Sequence, residues 1–222
     1  VASLDALGLV PKKGVETEEI TIPQKFAVPR WVWGVLVGLV VLVGGFFVWQ
    51  SMGYNVGDYY DDGTKRGIVF ELDWTHRHGK IVGLFEADDR LAWCSDEKAA
   101  AEIVTGTLDH RNGWNNQQKI MQIAGWREKY PAFAWCADQG EGWYLPAVEE
   151  LETLLLDEAV FRAVKSEFER RSGLVFYESS FWSSTTPDTT AEFTAWYVSR
   201  YVGSRNYGAK IYYNDVRAVA AF

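Results

Sequence analysis

Two cysteines, three histidines and several acidic runs are the parts of this 222-residue chain whose types could do chemistry. Cys94 and Cys136 each follow a tryptophan in similar strings, Ala-Trp-Cys-Ser-Asp and Ala-Trp-Cys-Ala-Asp. Two readings stay open for them: a disulfide formed in an oxidising compartment, or two buried free thiols. The Cα separation that would decide is not a property of sequence. With no histidine close by, the pair makes a poor zinc site. His76 and His78 flank Arg77 in an expected hairpin turn, where solvent reaches them, and His110 stands apart. Glu149, Glu150 and Glu152 look like an acid cluster only superficially, because the solvated face of a helix accounts for them. No carboxylate stands alone in an apolar setting that would tune its pKa. No nucleophile elbow, zincin helix, P-loop or dinucleotide fingerprint is present. The expectation is therefore no catalytic residue, no metal, no cofactor and no enzyme.

The elements that must position these residues begin with an apolar run. Residues 31–49, from Trp31 to Trp49, carry no charge. As a helix rising about 1.5 Å per residue they would cover roughly 28 Å, near a hydrocarbon core of about 30 Å. Trp31, Trp33 and Trp49 sit at the ends, where amphipathic rings favour the headgroup layer. The run exceeds the apolar part of a signal peptide, and some 30 residues precede it. A single transmembrane helix is expected. Lys12, Lys13, Lys25 and Arg30 on its N-terminal side, against only Lys65 and Arg66 on the other, put the N-terminus in the cytoplasm and the C-terminal domain in the periplasm or outside the cell. Gly34 and Gly38 form a G-x-x-x-G, so a weak homodimer through this helix is a further expectation. Residues 1–30 read as a polar linker, or the remnant of an upstream cytoplasmic part. They hold four basic and four acidic groups, so the net charge of −8 belongs to the rest. An acidic domain is a poor nucleic-acid binder.

Residues 54–222 suffice for one domain with a substantial core. Strands are expected over 65–72 and 80–85, joined by a His- and Gly-rich turn. A short helix is expected over 113–124, with Ile120, Ile123 and Ala124 on one face and Gly125 ending it. A longer helix is expected from Pro146 to about Gly173, with Leu151, Leu154, Leu155, Phe161 and Val164 on its apolar side. Phe181–Thr186, Ala195–Val198 and Gly208–Phe222 read as strands. Strands, two helices, then strands imply an α+β domain with antiparallel strands whose sheet uses both ends of the sequence.

Four segments stand in order: Trp143-Tyr-Leu-Pro-Ala-Val-Glu-Glu-Leu151, Phe181-Trp-Ser-Ser-Thr185, Ala195-Trp-Tyr197 and Val216-Arg-Ala-Val219. This set resembles a bacterial lectin-like family with W-x-L-P-x-x-x-E-L, W-S-S-T and V-R-x-V segments. That family is common in gut Bacteroidales surface proteins and related to the Fibrobacter major paralogous domain. The resemblance covers about residues 54–222 and implies a C-type-lectin-like fold. Cys136 matches a cysteine often found before the W-x-L-P segment. Read on their own, Trp143, Leu145, Trp182 and Trp196 suit core packing, Pro146 and Glu150 are scaffold, and Arg217 pairs with a carboxylate.

Some relatives in that family are variable proteins of diversity-generating retroelements, in which exposed C-terminal sites are diversified at adenines. The resemblance extends to Ser199–Tyr207 and Ile211–Asp215, rich in Tyr, Ser, Asn and Arg. Those types also suit recognition on physical grounds, since Tyr gives amphipathic area at low entropy cost and Arg anchors. Arg200, Tyr201, Ser204, Arg205, Asn206, Tyr207, Tyr212, Tyr213 and Asn214 are therefore the candidate ligand-binding residues, for a protein or a glycan. Tyr213-Asn214-Asp215 resembles the calcium motif of animal C-type lectins, but its companion segment is missing and Thr186-Pro187-Asp188 is a weak substitute. The cysteine pair near the C-terminus that the related formylglycine-generating fold uses is absent. The function expected is a membrane-anchored recognition protein; the alternatives are a structural module of a cell-envelope assembly and the outer sensor of a longer signalling protein.

Overall fold

The computed structural model describes residues 29–50, 53–102, 109–176, 178–190 and 192–222. The polar linker expected over 1–30, with Lys12, Lys13 and Lys25, lies almost wholly outside them. The chain divides into two units at Phe46/Phe47. The first is known through helix α1 (Arg30–Gln50), whose apolar side chains, Val40 and Leu42 among them, are exposed.

The expectation of a transmembrane helix over 31–49 is corrected. Among the described residues no helix is long and apolar enough to cross a membrane. The side chains of Phe47, Trp49 and Gln50 lie outside the described residues. The single-pass placement, with a cytoplasmic N-terminus and a periplasmic or extracellular domain, is corrected with it.

The second unit is α+β with antiparallel sheets. In chain order it contains β1 (Tyr59–Asp61), β2 (Arg66–Leu72), β3 (Gly79–Gly83), β4 (Leu91–Ala92), α2 (Glu97–Glu102), α3 (Gly113–Met121), α4 (Trp126–Lys129), α5 (Pro131–Asp138), β5 (Trp143–Tyr144), α6 (Val148–Leu156), α7 (Glu158–Ser172), β6 (Ser180–Trp182), β7 (Thr194–Ser199), β8 (Ser204–Ala209), β9 (Tyr213–Asn214) and β10 (Val219–Ala221). The main sheet runs β1-β2-β3-β10-β5, so the C-terminal strand sits between strands from earlier in the chain, as expected. A three-stranded sheet, β6-β7-β8, and the small pair β4-β9 complete it.

Strand alternation sorts the core onto both faces of the main sheet. Register aligns Ile68, Val82, Val219 and Tyr144 in one row. These four are buried with Leu151, Leu154, Leu155 and Phe161 of α6 and α7. Val69, Ile81, Ala220 and Trp143 form the opposite row, buried with Trp93, Phe133 and Trp182. Ala220, the β10 residue in that row, adds little bulk to the face that the tryptophans fill.

The helix expected from Pro146 is two helices. Pro146 precedes α6, and the chain turns at Asp157, whose carboxylate accepts from the N–H groups of Ala159 and Val160 and starts α7. Gly173 closes α7 in the left-handed region at φ 70°. The helix expected over 113–124 ends at Met121.

The start of α6 holds the fold together. Its N-cap, Ala147, has no side-chain acceptor. Thr185 Oγ1, brought in by the W-S-S-T segment, accepts from Val148 N–H at 3.1 Å instead, and Ser184 N–H donates to the Pro146 carbonyl at 2.7 Å. Glu150 reaches back to accept from Ala147 N–H at 2.7 Å. The same carboxylate accepts from Gly113 N–H at 3.1 Å and Tyr144 Oη at 2.9 Å, and lies 2.9 Å from Lys80 Nζ. Gly113 is required there: a Cβ would stand 2.4 Å from the Leu145 carbonyl oxygen and 2.9 Å from Glu150 Oε2. The expectation of a solvated acidic face is thus corrected at Glu150, which is 1% exposed. Glu150→Ala leaves Lys80, Tyr144 and two N–H groups without their buried partner, and is expected to cost about 3–5 kcal/mol in urea denaturation. A loss within error of zero would refute the role of Glu150 as the knot.

Candidate functional site

The candidate recognition residues lie on or beside the β7–β8 hairpin. Trp196 stands opposite Tyr207 and Val198 opposite Arg205, so these side chains share one face. The Trp196 and Tyr207 rings meet edge to face at 5.4 Å, and the Arg205 guanidinium lies 5.2 Å from the Trp196 centroid. Glu152 of α6 stands 3.6 Å from Arg205. Asn206, opposite Tyr197, lies on the other face and donates to Ser204 Oγ at 3.1 Å.

The nine candidates do not form one patch. Tyr201 is 88% exposed at the hairpin tip. Tyr212 and Tyr213 are exposed beyond the far end of β8, about 20 Å along the strand at roughly 3.3 Å per residue. Tyr207 and Arg205 are exposed between them, while Ser204, Asn206 and Asn214 are half-buried. Arg200 has a structural part: it donates to the Leu155 carbonyl at 3.0 Å, pairs with Glu158 and lies 4.2 Å from the Phe161 centroid. Two exposed apolar residues escaped the sequence reading, Phe193 before β7 and Val202 at the tip. Their positions in a strand-and-turn region were the only signal available.

Beneath the hairpin the scaffold is polar and buried. Ser183 Oγ donates to the Trp196 carbonyl at 2.9 Å, and Trp93 Nε1 donates to the Ser183 carbonyl at 2.8 Å. Asn116 Nδ2 donates to Ser184 Oγ at 2.8 Å. Trp143, Leu145 and Trp182 are core residues, as expected, whereas Trp196 is half-buried. Arg217 pairs with Glu86 at 3.3 Å. Cys94 and Cys136 are buried and free in this structure, and burial pushes both thiol pKa values up. His78 is exposed, but His76 is half-buried at φ 58°, with Nδ1 3.0 Å from the Tyr54 carbonyl oxygen. No group of three or more His, Cys, Asp or Glu side chains among the described residues could hold a metal ion.

Lys210 ties the end of β8 to the rest. It is fully buried, and its Nζ donates to the Ala100 carbonyl at 3.1 Å and lies 4.5 Å from the Trp93 centroid. Its backbone carbonyl accepts from Cys94 N–H at 3.1 Å. Burial lowers its pKa from 10.5 to about 8.

In comparisons with known proteins, no family model matches the chain and no curated protein matches it.

Between pH about 8 and 10.5 the unfolded chain keeps the Lys210 proton that the folded chain releases, so this residue makes stability rise with pH across that window. The stability difference between the native chain and Lys210→Met, followed by urea denaturation from pH 7 to 10.5, is expected to grow in favour of the native chain. A flat difference would contradict it.

Proposed function

We propose that residues 54–222 form a lectin-like recognition domain that binds a protein partner through the exposed aromatic surface of its C-terminal hairpin. One observation carries this reading. Of the ten large apolar or aromatic side chains exposed from Gly53 onward among the described residues, six lie between Phe193 and Tyr213: Phe193, Tyr201, Val202, Tyr207, Tyr212 and Tyr213. Exposed aromatics concentrated in one stretch of chain are what interaction surfaces carry, because rigid rings bury large areas at small entropic cost. The lectin-like assignment rests on the ordered sequence segments. Their residues interlock at the Ser184–Pro146 and Thr185–Val148 hydrogen bonds, which supports reading them as one scaffold motif.

A photo-crosslinking residue at Tyr207 or Tyr212 is expected to give a discrete protein adduct in the native host, and one at Gln118 on α3 none. Arg205→Ala combined with Tyr213→Ala is expected to abolish the adduct with the melting temperature unchanged. Adducts equally frequent from Gln118, or none from either hairpin position, would overturn the reading.

The retroelement-diversified form of the proposal makes a separate demand. Sequencing the locus in related isolates is expected to find variation at Tyr201, Arg205, Tyr207, Tyr212 and Tyr213, with Arg200 and Lys210 constant. A near-copy of the coding region's end, differing at adenines beside a reverse transcriptase gene, accompanies it. Uniform sequences with no such copy would remove diversification and leave the binding surface standing.

A further inference from the structure

The three-stranded sheet ends at β8, which has β7 as its one neighbour in the order β6-β7-β8. Its six residues pair with β7 in unbroken register, from Ser204 opposite Ser199 to Ala209 opposite Thr194. Among the described residues the other edge strands, β1, β4, β5, β6 and β9, are two or three residues long. Short length, proline and bulges protect a sheet edge from pairing with another chain. The β8 sequence, Ser-Arg-Asn-Tyr-Gly-Ala, has none of these, and its one charge, Arg205, stands 3.6 Å from Glu152.

The main-chain groups that face outward can be named. Trp196 donates its N–H to the Thr185 carbonyl at 2.9 Å and accepts from Ser183 N–H at 2.9 Å, so its main-chain groups point away from β8. Tyr207 stands opposite Trp196, and such a pair in an antiparallel ladder shares no hydrogen bond. Tyr207, and Arg205 two residues before it, therefore turn N–H and C=O outward, and among the described residues nothing bonds to them.

Two-fold pairing of this edge with itself has one register that uses both residues. Centred on Arg205, it sets two guanidinium groups opposite each other and pairs Tyr207 with Gly203, whose N–H already donates to the Ser199 carbonyl at 2.9 Å. Centred on Tyr207, it pairs Arg205 with Ala209, whose carbonyl already accepts from Tyr212 N–H at 2.9 Å. Centred on Asn206, it sets Arg205 of each copy opposite Tyr207 of the other, and each of these two pairs exchanges both N–H···O=C bonds. Opposed residues share a face, so each guanidinium then meets a phenol ring, a favourable cross-strand pair.

We infer that two copies of this chain pair edge to edge along β8, antiparallel about a two-fold axis at Asn206. The contact is isologous and closes as a dimer. It joins two three-stranded sheets into one, with two copies of the Trp196, Arg205 and Tyr207 face side by side. It rests on main-chain groups and stands apart from the recognition reading, which survives its failure.

The test uses the full chain in mild detergent, which shields the exposed apolar side chains of α1. At the axis the two Asn206 Cα atoms are about 4.5 Å apart, within disulfide reach, so oxidised Asn206→Cys is expected to run as a covalent dimer on a non-reducing gel. Ser204→Cys is expected to give less than a tenth of that yield, because its two copies lie about 13 Å apart at roughly 3.3 Å per residue. Cys94 and Cys136 are buried and do not compete. Tyr207→Pro removes an outward N–H from each copy and none from the β7–β8 ladder, and is expected to raise the dimer dissociation constant, read by sedimentation equilibrium, about tenfold. That measurement decides the matter if Asn206→Cys does not fold. A native chain monomeric at all concentrations, equal linking through positions 204 and 206, or an unchanged constant in Tyr207→Pro would each overturn the inference; the last two would place any dimer contact elsewhere.

Discussion

One buried carboxylate organises this domain. Glu150 gathers the N–H of Gly113 at the start of α3, the N–H of Ala147 before α6, the Tyr144 hydroxyl on β5 and the Lys80 ammonium on β3. Four elements thereby meet at one side chain, and two of them, α3 and β3, are distant from it in sequence. Burial pushes the Glu150 carboxyl pKa up, and the Lys80 ammonium and the N–H donors pull against it. The two partial positive helix starts add to the same effect. Desolvating a carboxylate is costly unless every lone pair is used, and here each oxygen has two partners. The arrangement fixes geometry more than it adds stability, because an apolar substitute could pack here but could not orient two helix starts.

The same logic repeats at two buried cations. Arg217 lies among the rings of Phe168, Phe176 and Phe181, with centroids 4.8, 4.6 and 5.6 Å from the guanidinium. It donates to the Phe85 carbonyl at 3.2 Å and pairs with Glu86, while its Nε finds no acceptor among the described residues. Lys210 spends its ammonium on backbone carbonyls at Ala100 and Glu192. Arg217 ties the approach to β10 to the segment after β3, and Lys210 ties the end of β8 to α2 and to the segment before β7. Polar side chains reach further than methyl groups, and their directional bonds specify where such a segment must lie.

This division explains what was legible in the sequence. β-Branched and aromatic residues between turn signals located β2 and β3, and the W-x-L-P, W-S-S-T and V-R-x-V segments pointed to the scaffold through their tryptophans and proline. Helix α5 escaped because Ala132, Phe133, Ala134 and Cys136 are buried around a short helix, so no amphipathic stripe exists to read. The break at Asp157 carried a readable signal, a capping aspartate followed by Glu158, but the long apolar period of both helices masked it. Glu150 was legible only in part: the ordered segments marked it as scaffold, while its place in a run of glutamates read as a solvated face. Its neighbours Glu149 and Glu152 are half-buried, and its own burial depends on Gly113, 37 residues away, and on Lys80 of β3. The apolar run of α1 shows the opposite failure: length and composition proposed a span, and among the described residues no helix is long and apolar enough to make one.

The C-terminal hairpin inherits its behaviour from strand geometry. Because successive residues face opposite ways, Arg205 and Tyr207 share a face with Trp196, while Ser204 and Asn206 turn to the other. A sequence rich in Tyr, Arg, Ser and Asn therefore could not present all of them together, whatever its composition suggested. Arg200 leaves the set altogether, drawn down to Leu155 and Glu158. What remains exposed is Tyr201 at the tip, Tyr207 on β8, and Tyr212 and Tyr213 beyond its far end. The hairpin is fixed at the end of β8 by the fully buried Lys210 and at its tip by Arg200, and neither anchor uses an exposed tyrosine.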